Sequence, residues 1–389
     1  MLAKEIGIYR YGIADLGILL TDMGEPRFRA GQLLTWLYGH NGHGVGSYQE
    51  MSNLSLSLRE RLAAAEPLVP PRLVECQVSR DGTRKYLLEL VDGCCIECVG
   101  IPDAQRLTVC FSTQVGCALG CSFCATGRLG LIRQLAPGEM VAQLLTVARD
   151  FDMRITNAVA MGEGEPFANY SATLDALRLI NHPTTLNIGA RHITVSTSGL
   201  ISGIQRFADE PEQWRLAVSL HSAIQKTRDQ LMPGLRGQTL DQLHDALKDY
   251  NLKSGRRVSL EYVLIADLND DVEAIRALIG FCRGLNTHVN LIPLNPVDDR
   301  LENTTGQVRV PVNQMEGSAK QCGGRSSHAE GYVEPPSESA IHIGSPQRPS
   351  NLQRLNEIES QLNRSGIECS IRRSRGADIA GACGQLAGS

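Results

Sequence analysis

The chain has 389 residues, of which 42% are hydrophobic and 21% charged, and a formal net charge of −4, an ordinary composition for a globular enzyme. The overall charge gives no support for nucleic-acid binding, so any RNA site must come from local basic patches. No apolar run approaches the roughly 20 residues of a membrane span, and the opening stretch MLAKEIGIYRYGIADLG lacks a signal-peptide core. We therefore expect a cytoplasmic protein with no membrane partner, whose 12 cysteines stay reduced or bind metal.

The first segment, residues 1–70, is predicted to be a small helical accessory domain. Apolar residues recur at helical spacing in two runs, and the second run follows serines that can cap a helix. The runs are Phe28, Leu33, Leu34, Leu37 and Tyr38, then Leu54, Leu58 and Leu62 behind Ser52 and Ser55. Arginines lie among these residues. A packing domain with solvated charges is the first interpretation, and a contact with RNA is the second.

The next segment, residues 71–300, is predicted to hold a β-hairpin extension followed by an α/β core. Asp81-Gly82 and Asp92-Gly93 are hairpin turn signals. Strands and helices then alternate, and six strands in this pattern predict an open or partial (β/α)6 barrel with its function at the carboxyl ends of the strands. The candidate strands are 107–111, 157–161, 192–197, 215–220, 257–264 and 288–293, and the candidate helices are 137–151, 170–181, 201–208, 239–250 and 271–284.

The stretch CFSTQVGCALGCSFCATG, which begins at Cys110, contains three cysteines spaced C-x3-C-x2-C: Cys117, Cys121 and Cys124. Thiolates bind iron–sulfur clusters, usually four to a cluster, so three close ligands leave one iron of a 4Fe–4S cluster free. That iron can bind the amine and carboxylate of S-adenosylmethionine (SAM), and an electron from the cluster can then split the sulfonium. The spacing therefore predicts radical SAM chemistry. Zinc is the alternative, with His192 or His221 joining through space, but no second ligand pair follows at zinc spacing.

Short polar turns follow four of the candidate strands. Any one of them is explained by the turn alone. Four such turns at the ends of barrel strands, beyond a cluster motif, predict the wall of a SAM pocket. The turns are Gly162-Glu163-Gly164-Glu165-Pro166, Ser198-Gly199, Ser219-Leu220-His221 and Leu294-Asn295-Pro296.

Residues 301–348 are rich in glycine, serine and proline and have no periodicity, which predicts a surface insertion. Cys322 and His328 within it are too few to make a metal site.

The last segment, residues 349–389, is predicted to form a helix at 350–364, a strand at 368–373 and a tail. A basic run in this segment, suited to phosphates, consists of Arg372, Arg373 and Arg375. Cys383 lies in a run of small residues near the end. By itself it is read as an incidental tail residue, and a sulfur that reaches a site is the other reading.

Taken together, the motifs closely resemble the RlmN/Cfr family of radical SAM enzymes, which methylate a carbon of adenine in RNA. The segments are FSTQVGCALGCSFCATG, GEGEP, ITVSTSG, SLH, HVNLIPLNPV, RRSRG and ACGQL, with RAGQLLTWLYGH and MSNLSLSLRERL resembling the family's accessory domain. The resemblance is closer to the RlmN branch, which implies methylation at C2 of an adenine in 23S rRNA and of adenine 37 in tRNA. Methylation at C8 of the same rRNA adenine, as in the Cfr branch, is the alternative.

The resemblance also implies the site residues. The cluster ligands are Cys117, Cys121 and Cys124, and the SAM contacts are Gly164, Glu165, Ser196, Ser219, Leu220, His221 and Asn295. Cys383 resembles the cysteine that first takes a methyl group from SAM, Cys110 its partner, and Glu97 the proton acceptor.

The implied reaction consumes two SAM molecules, because adenine C2 is too electron-poor to take a methyl group directly. One SAM methylates Cys383, and the other yields the radical that activates this methyl group for addition to the ring. Glu97 then removes a proton, and Cys110 frees the RNA by forming a disulfide with Cys383. We also expect an electron donor such as flavodoxin or ferredoxin, a monomeric chain, and a flexible tail that carries Cys383.

One residue departs from the family pattern: Glu163 replaces the methionine common in that motif, and we expect its charge to lie near the amine of SAM. An RNA-binding iron–sulfur assembly factor is the alternative from another class of protein. The presence of both Cys110 and Cys383 argues against it, since a structural cluster has no use for them.

Overall fold

The computed structural model of the chain describes residues 2–39, 43–295, 297 and 347–387. Residues 301–346 of the predicted insertion, with Cys322 and His328 among them, lie outside this description.

The first segment is helical, as predicted. Its helices are α1 (Leu2–Ile6), α2 (Ile13–Asp22), α3 (Arg29–Leu34) and α4 (Leu56–Ala65). The predicted cap at Ser55 is present, since its hydroxyl accepts a hydrogen bond from the Leu58 amide at 3.3 Å. Leu33, Leu58 and Leu62 of the predicted apolar runs are fully buried, so these helices pack through the face that the periodicity indicates. Phe28 of the first run is the exception, since it precedes α3 and is exposed.

The β-hairpin extension is also present. Its strands are β1 (Arg72–Val78), β2 (Arg84–Glu89) and β3 (Cys95–Asp103), which continue antiparallel into β4 (Arg106–Cys110). The turns at Asp81-Gly82 and Asp92-Gly93 connect the first three strands, as their sequences predict.

The barrel strands that follow β4 in the sheet are β7 (Asn157–Ala160), β8 (Ile193–Thr197), β9 (Arg215–Ser219), β10 (Val258–Leu264), β11 (Thr287–Pro293) and β12 (Cys369–Ile371). They form the parallel part of the same ten-stranded sheet, whose strand order is β1-β2-β3-β4-β7-β8-β9-β10-β11-β12. The predicted partial barrel is therefore confirmed. The strand expected near the end of the chain pairs in parallel with β11 and extends the barrel beyond the six predicted strands.

The helices that connect these strands are α5 (Ala125–Leu129), α6 (Pro137–Phe151), α7 (Tyr170–Asn181), α8 (Ile201–Ala208), α9 (Gln225–Leu231), α10 (Leu240–Ser254), α11 (Val272–Cys282) and α12 (Leu352–Arg364). A small separate hairpin, β5 (Gln114–Cys117) and β6 (Gly130–Gln134), flanks α5. The core lies between helices and sheet, where Phe207 stacks on Trp214 and Tyr250 with ring centroids 5.9 and 6.4 Å apart.

A polar row crosses the sheet. In β9 to β12, the in-register neighbours are Ser219, Glu261, Asn290 and Ser370. The Asn290 amide donates to the Glu261 carboxylate at 2.8 Å and accepts from the Ser370 hydroxyl at 2.9 Å, so the row is hydrogen-bonded from β10 to β12. Within the described residues, no helix has the length and apolar character needed to cross a membrane.

Candidate active site

A cavity of about 390 Å³ lies at the carboxyl ends of the parallel strands, where the barrel pattern predicts function. All the predicted site residues except Glu97 and Leu220 line it. Those in its wall are Cys110, Cys117, Cys121, Cys124, Gly164, Glu165, Ser196, Ser219, His221, Asn295 and Cys383.

The three cysteines of the C-x3-C-x2-C motif share one region of this wall. Cys117 ends β5, and Cys121 and Cys124 lie in the turns that lead into α5. The Cys124 amide donates to the Cys121 carbonyl at 3.1 Å, which fixes the loop. Burial raises the pKa of the Cys117 thiol to about 12 and also raises those of Cys121 and Cys124. The thiols therefore hold their protons until a metal displaces them.

Three thiols on one wall suit an iron–sulfur cluster better than zinc. Among the residues that the structure describes, no three His, Cys, Asp or Glu side chains come close enough to share one metal ion. In a cluster each cysteine binds a different iron, so the thiols need not converge. His192 precedes β8, at the opposite end of that strand from the cavity, and the Nδ1 of His221 already accepts a hydrogen bond from the Val263 amide. This geometry gives the zinc alternative no support.

The turn after β7 brings backbone close to the cavity. Gly164 has φ +97°, and a Cβ there would lie 2.5 Å from the Gln114 side chain, so only glycine suits the position. Glu165 is 3% exposed, and its carboxylate accepts amide hydrogen bonds from Phe167 at 2.9 Å and Ser198 at 2.7 Å. Glu165 thus ties the turn after β7 to the turn after β8.

The Ser219-Leu220-His221 run divides between cavity and core. Ser219 and His221 line the cavity, whereas the Leu220 side chain is fully buried. The Leu220 amide donates a hydrogen bond to the Glu261 carbonyl at 3.0 Å. The His221 Nδ1 accepts from the Val263 amide at 3.0 Å. Burial, aided by the charge of Arg228, lowers the pKa of His221 to about 3. His221 is therefore neutral at physiological pH.

Arg228 of α9 supports this wall, although no motif marks it. Its guanidinium donates to the carbonyl of Ser198 at 2.6 Å and to that of Ser219 at 2.9 Å. Burial lowers the pKa of Arg228 to about 10, which still leaves it charged. An arginine within an ordinary amphipathic helix gives no sequence signal for such a role.

Cys110 and Cys383 face the same cavity, although they lie far apart in the sequence. Cys110 is the last residue of β4, and burial raises the pKa of its thiol to about 12. Burial also raises the pKa of Cys383, while the charge of Arg372 lowers the pKa of both thiols. The eleven described cysteines, these two included, are all free thiols.

The tail that carries Cys383 is docked, not loose as expected. The Asn295 amide donates to the Cys383 carbonyl at 3.0 Å, the Ala125 amide to the Gly384 carbonyl at 2.8 Å, and the Thr126 hydroxyl to the Leu386 carbonyl at 2.6 Å. The small residues of the tail let its backbone approach the cluster loop closely enough for these bonds. The Cys383 side chain is surrounded by protein atoms, which accounts for its raised pKa, yet its surface opens onto the cavity.

Glu97 lies in β3, is 3% exposed and does not line the cavity. One carboxylate oxygen is 2.8 Å from the Lys85 ammonium, and the other accepts a hydrogen bond from the Ala387 amide at 2.7 Å. The predicted proton acceptor thus lies behind the tail in this structure.

Glu163 does not point towards the predicted SAM site. Its buried carboxylate accepts hydrogen bonds from the Glu97 amide at 2.7 Å and the Gly116 amide at 3.5 Å, and it does not line the cavity. Burial raises the pKa of Glu163 to about 8. The expected charge beside the SAM amine is therefore absent from the cavity wall, because this side chain turns under the sheet to satisfy two backbone donors.

Arg372, from the basic run that was expected to suit phosphates, lines the cavity. Its guanidinium lies 3.7 Å from the Glu261 carboxylate and 3.7 Å from the Met161 sulfur. Sequence reasoning missed Glu261, although a lone carboxylate in the apolar strand VSLEYVL was the signal that could have found it.

The partial barrel and the three-cysteine loop together define the class of protein. The model of the Radical SAM superfamily matches residues 111–279, and that of the ribosomal RNA large subunit methyltransferase N-terminal domain matches residues 10–66. The chain is a radical SAM protein, and this membership implies a 4Fe–4S cluster and SAM as its cofactors.

Relatives of nearly the same length identify the family. The chain is 41% identical to a protein of Lysinibacillus sphaericus over 97% of this chain and 88% of that one, and 40% identical to one of Bacillus subtilis over 97% and 92%. Both carry the name "Probable dual-specificity RNA methyltransferase RlmN". The crystal structure of a radical SAM methyltransferase from Sphaerobacter thermophilus matches with a TM-score of 0.81 and 39% identity, covering 99% of this chain and all of that one. The chain belongs to the RlmN family.

Proposed function

We propose that the chain methylates C2 of an adenine in 23S rRNA and of adenine 37 in tRNA. The observation that carries this proposal is that Cys110 and Cys383, which lie outside the cluster motif, face the same cavity as the three motif cysteines. The names of the relatives support RNA as the substrate. A protein whose cluster were only structural, such as an assembly factor, would not need this second pair of thiols.

Cofactor binding falls to the cavity wall. Cys117, Cys121 and Cys124 would hold the cluster, and SAM would lie against Gly164, Glu165, Ser196, Ser219, Leu220, His221 and Asn295, with Leu220 offering only its backbone. When bound, the cluster supplies the electron that splits SAM and gives a 5′-deoxyadenosyl radical. Glu165 and His221 are held in place by backbone amides, so this wall is rigid before either cofactor arrives.

Cys383 supplies the methyl carrier in this proposal. Its thiolate displaces the methyl group from one SAM, so a bond between sulfur and carbon forms as the bond to the sulfonium breaks. Arg372, whose charge lowers the pKa of Cys383, favours this thiolate. After the activated methyl group has added to the adenine, Glu97 takes the proton from the reacting ring carbon, and the unpaired electron of the adduct would return to the cluster that supplied it. Cys110 then attacks the Cys383 sulfur, the RNA is freed as the disulfide forms, and an external reductant restores both thiols.

The proposal includes the setting of the reaction. The electron donor is a flavodoxin or a ferredoxin, and the chain works as a monomer in the cytoplasm. Residues 1–70 form an accessory domain that contacts RNA, 71–300 the catalytic core, 301–348 an insertion and 349–389 the catalytic tail.

The direct test is anaerobic turnover with methyl-labelled SAM and unmodified 23S rRNA or tRNA, followed by nucleoside analysis. We expect labelled 2-methyladenosine from both RNAs, and none from a Cys383→Ala variant with an intact cluster. Label at C8 would instead assign the chain to the other branch. RNA binding without SAM cleavage would make it an assembly factor and overturn the proposal.

A further inference from the structure

Lys85 and Glu97 form a buried ion pair beside the tail. Lys85 lies in β2 and Glu97 in β3, and because Leu87 faces Glu97 across the two strands, Lys85 is its diagonal neighbour. The Lys85 Nζ is 2.8 Å from the Glu97 Oε1, and the two side chains are only 12% and 3% exposed. A carboxylate so shielded from water has its direction set by the cation beside it.

The backbone of Glu97 is fixed as firmly as this oxygen. Its amide donates to the Glu163 Oε1 at 2.7 Å, and its carbonyl accepts from the Ser112 hydroxyl at 2.6 Å. Ser112 lies between β4 and β5, and Glu163 lies in the turn after β7. The residue is therefore held by the sheet and by the polar groups beneath it.

The second carboxylate oxygen has a different partner. Oε2 accepts from the Ala387 amide at 2.7 Å, and Ala387 lies four residues beyond Cys383 in the tail. Leu386 lines the cavity and Glu97 does not, so the tail separates this carboxylate from the cavity. Glu97 can reach an RNA base only after this part of the tail has moved, and that movement releases Oε2 while Lys85 keeps Oε1.

We propose that Lys85 is a positioning residue for the proton-removal step: it holds Oε1 of Glu97 so that Oε2, once released by Ala387, points at the reacting carbon. This inference rests on the proposed function. In the step, the bond between the ring carbon and its hydrogen breaks, a bond between Oε2 and that hydrogen forms, and the electron pair stays with the ring. Lys85 takes no part in the proton transfer and touches no substrate.

Removal of Lys85 leaves a buried carboxylate without its cation. The carboxylate can then turn from its present direction or follow the tail, and a misplaced base slows proton transfer by roughly ten- to a hundredfold. Arginine keeps the charge and can reach the same oxygen. Steps that precede proton removal, which include SAM cleavage and formation of the protein–RNA adduct, do not involve Glu97 and keep their rates.

The experiment compares Lys85→Met, Lys85→Arg and Glu97→Gln with the double variant of Lys85→Met and Glu97→Gln in anaerobic single turnovers with unmodified tRNA. Release of 5′-deoxyadenosine reports SAM cleavage, and denaturing gels report the adduct. We expect Lys85→Met to cleave SAM at the normal rate but to resolve the adduct roughly ten- to a hundredfold more slowly. Lys85→Arg should restore resolution, and Lys85→Met should add nothing in the Glu97→Gln background. Lys253→Met is the matched control. Lys253 of α10 also forms an ion pair, at 2.9 Å with Asp209 at the end of α8, but it does not line the cavity.

Normal adduct resolution in Lys85→Met overturns the inference, and so does an additive loss in the double variant. If Lys85→Met does not fold, Lys85→Gln decides in its place: slow resolution supports the inference and normal resolution overturns it. Failure of the proposed function looks different, since the unaltered chain would then give no 2-methyladenosine at all.

Discussion

At the scale of single residues, the charge of Arg372 lowers the pKa of both thiols outside the cluster motif, Cys110 and Cys383. Its guanidinium lies 3.7 Å from the sulfur of Met161, the residue that follows β7, and the backbone of Met161 hydrogen-bonds the Cys110 thiol. The same guanidinium lowers the pKa of Cys383 against the effect of burial. One cation thus favours the negative form of whichever sulfur reacts, which gives Arg372 a use that its place in a basic run does not suggest.

Replacement of Cys110 by alanine should trap the reaction after the RNA has become attached to the protein. Cys110 lines the cavity but is not one of the motif cysteines, so cluster and SAM cleavage should survive while the attack that frees the RNA cannot occur. Denaturing gels of anaerobic, reducing reactions with labelled RNA should show a covalent adduct. Cys76→Ala, which changes a half-buried cysteine of β1, is the control. A Cys110→Ala variant that releases methylated RNA normally would contradict this role.

Glu163 should give the protein a distinctive dependence of stability on pH. Burial, with the nearby charge of Glu97, raises the pKa of Glu163 from 4.5 to about 8, so the folded state binds this proton more tightly than the unfolded state does. The resulting stabilisation is complete below pH 4.5 and is lost as the pH rises through about 8. A Glu163→Gln side chain does not titrate and should lack this loss.

Chemical denaturation of both proteins across this pH range measures the effect. As the pH rises, the free energy of unfolding of the variant minus that of the unaltered chain should increase by up to about 1.4 kcal/mol per pH unit. Parallel pH profiles would show that the Glu163 carboxyl keeps an ordinary pKa.

At the scale of elements, the tail is held at two places. Its far end is bonded to the cluster loop, and its near end to the turn between β1 and β2. There the Asp378 carboxylate accepts from the Ser79 hydroxyl at 2.5 Å and from the Arg80 amide at 3.2 Å. The hairpin extension therefore serves as an anchor for the tail.

Loss of this anchor should loosen the tail without disturbing the barrel. In an Asp378→Ala variant we expect carboxypeptidase to remove the last residues several-fold faster, because the segment around Ala377–Ile379 loses both hydrogen bonds of the carboxylate. The control is Asp241→Ala, which removes an acidic residue from the first turn of α10. Equal cleavage rates in the two variants would mean that the near anchor does not restrain the tail.

At the scale of the whole molecule, the features that the sequence predicts are those with local signals. Helices α6, α7 and α8 begin and end where apolar periodicity and the proline at 137 place them. The cluster loop is likewise local, because Cys117, Cys121 and Cys124 lie within a few residues of one another. The meeting of the polar turns in one cavity wall was predictable, because parallel strands bring their carboxyl ends to one edge of the sheet.

The features that escaped prediction join distant parts of the chain. Glu97 and Ala387 are 290 positions apart, and no pattern in either segment indicates that a carboxylate of β3 will bind a backbone amide of the tail. The pairing of β12 with β11 across the insertion, the inward turn of Glu163 and the bridge made by Arg228 are of the same kind. Each is decided by packing in three dimensions, which a single sequence does not display.

The hydrogen bond between the Asn295 amide and the Cys383 carbonyl couples the tail to the proposed SAM site. The amide nitrogen carries two N–H donors, so Asn295 can hold the tail with one and meet SAM with the other. If it does, docking of the tail and binding of SAM share one side chain, and by linkage each changes the free energy of the other by the same amount. The affinity for SAM would therefore report whether the tail is docked.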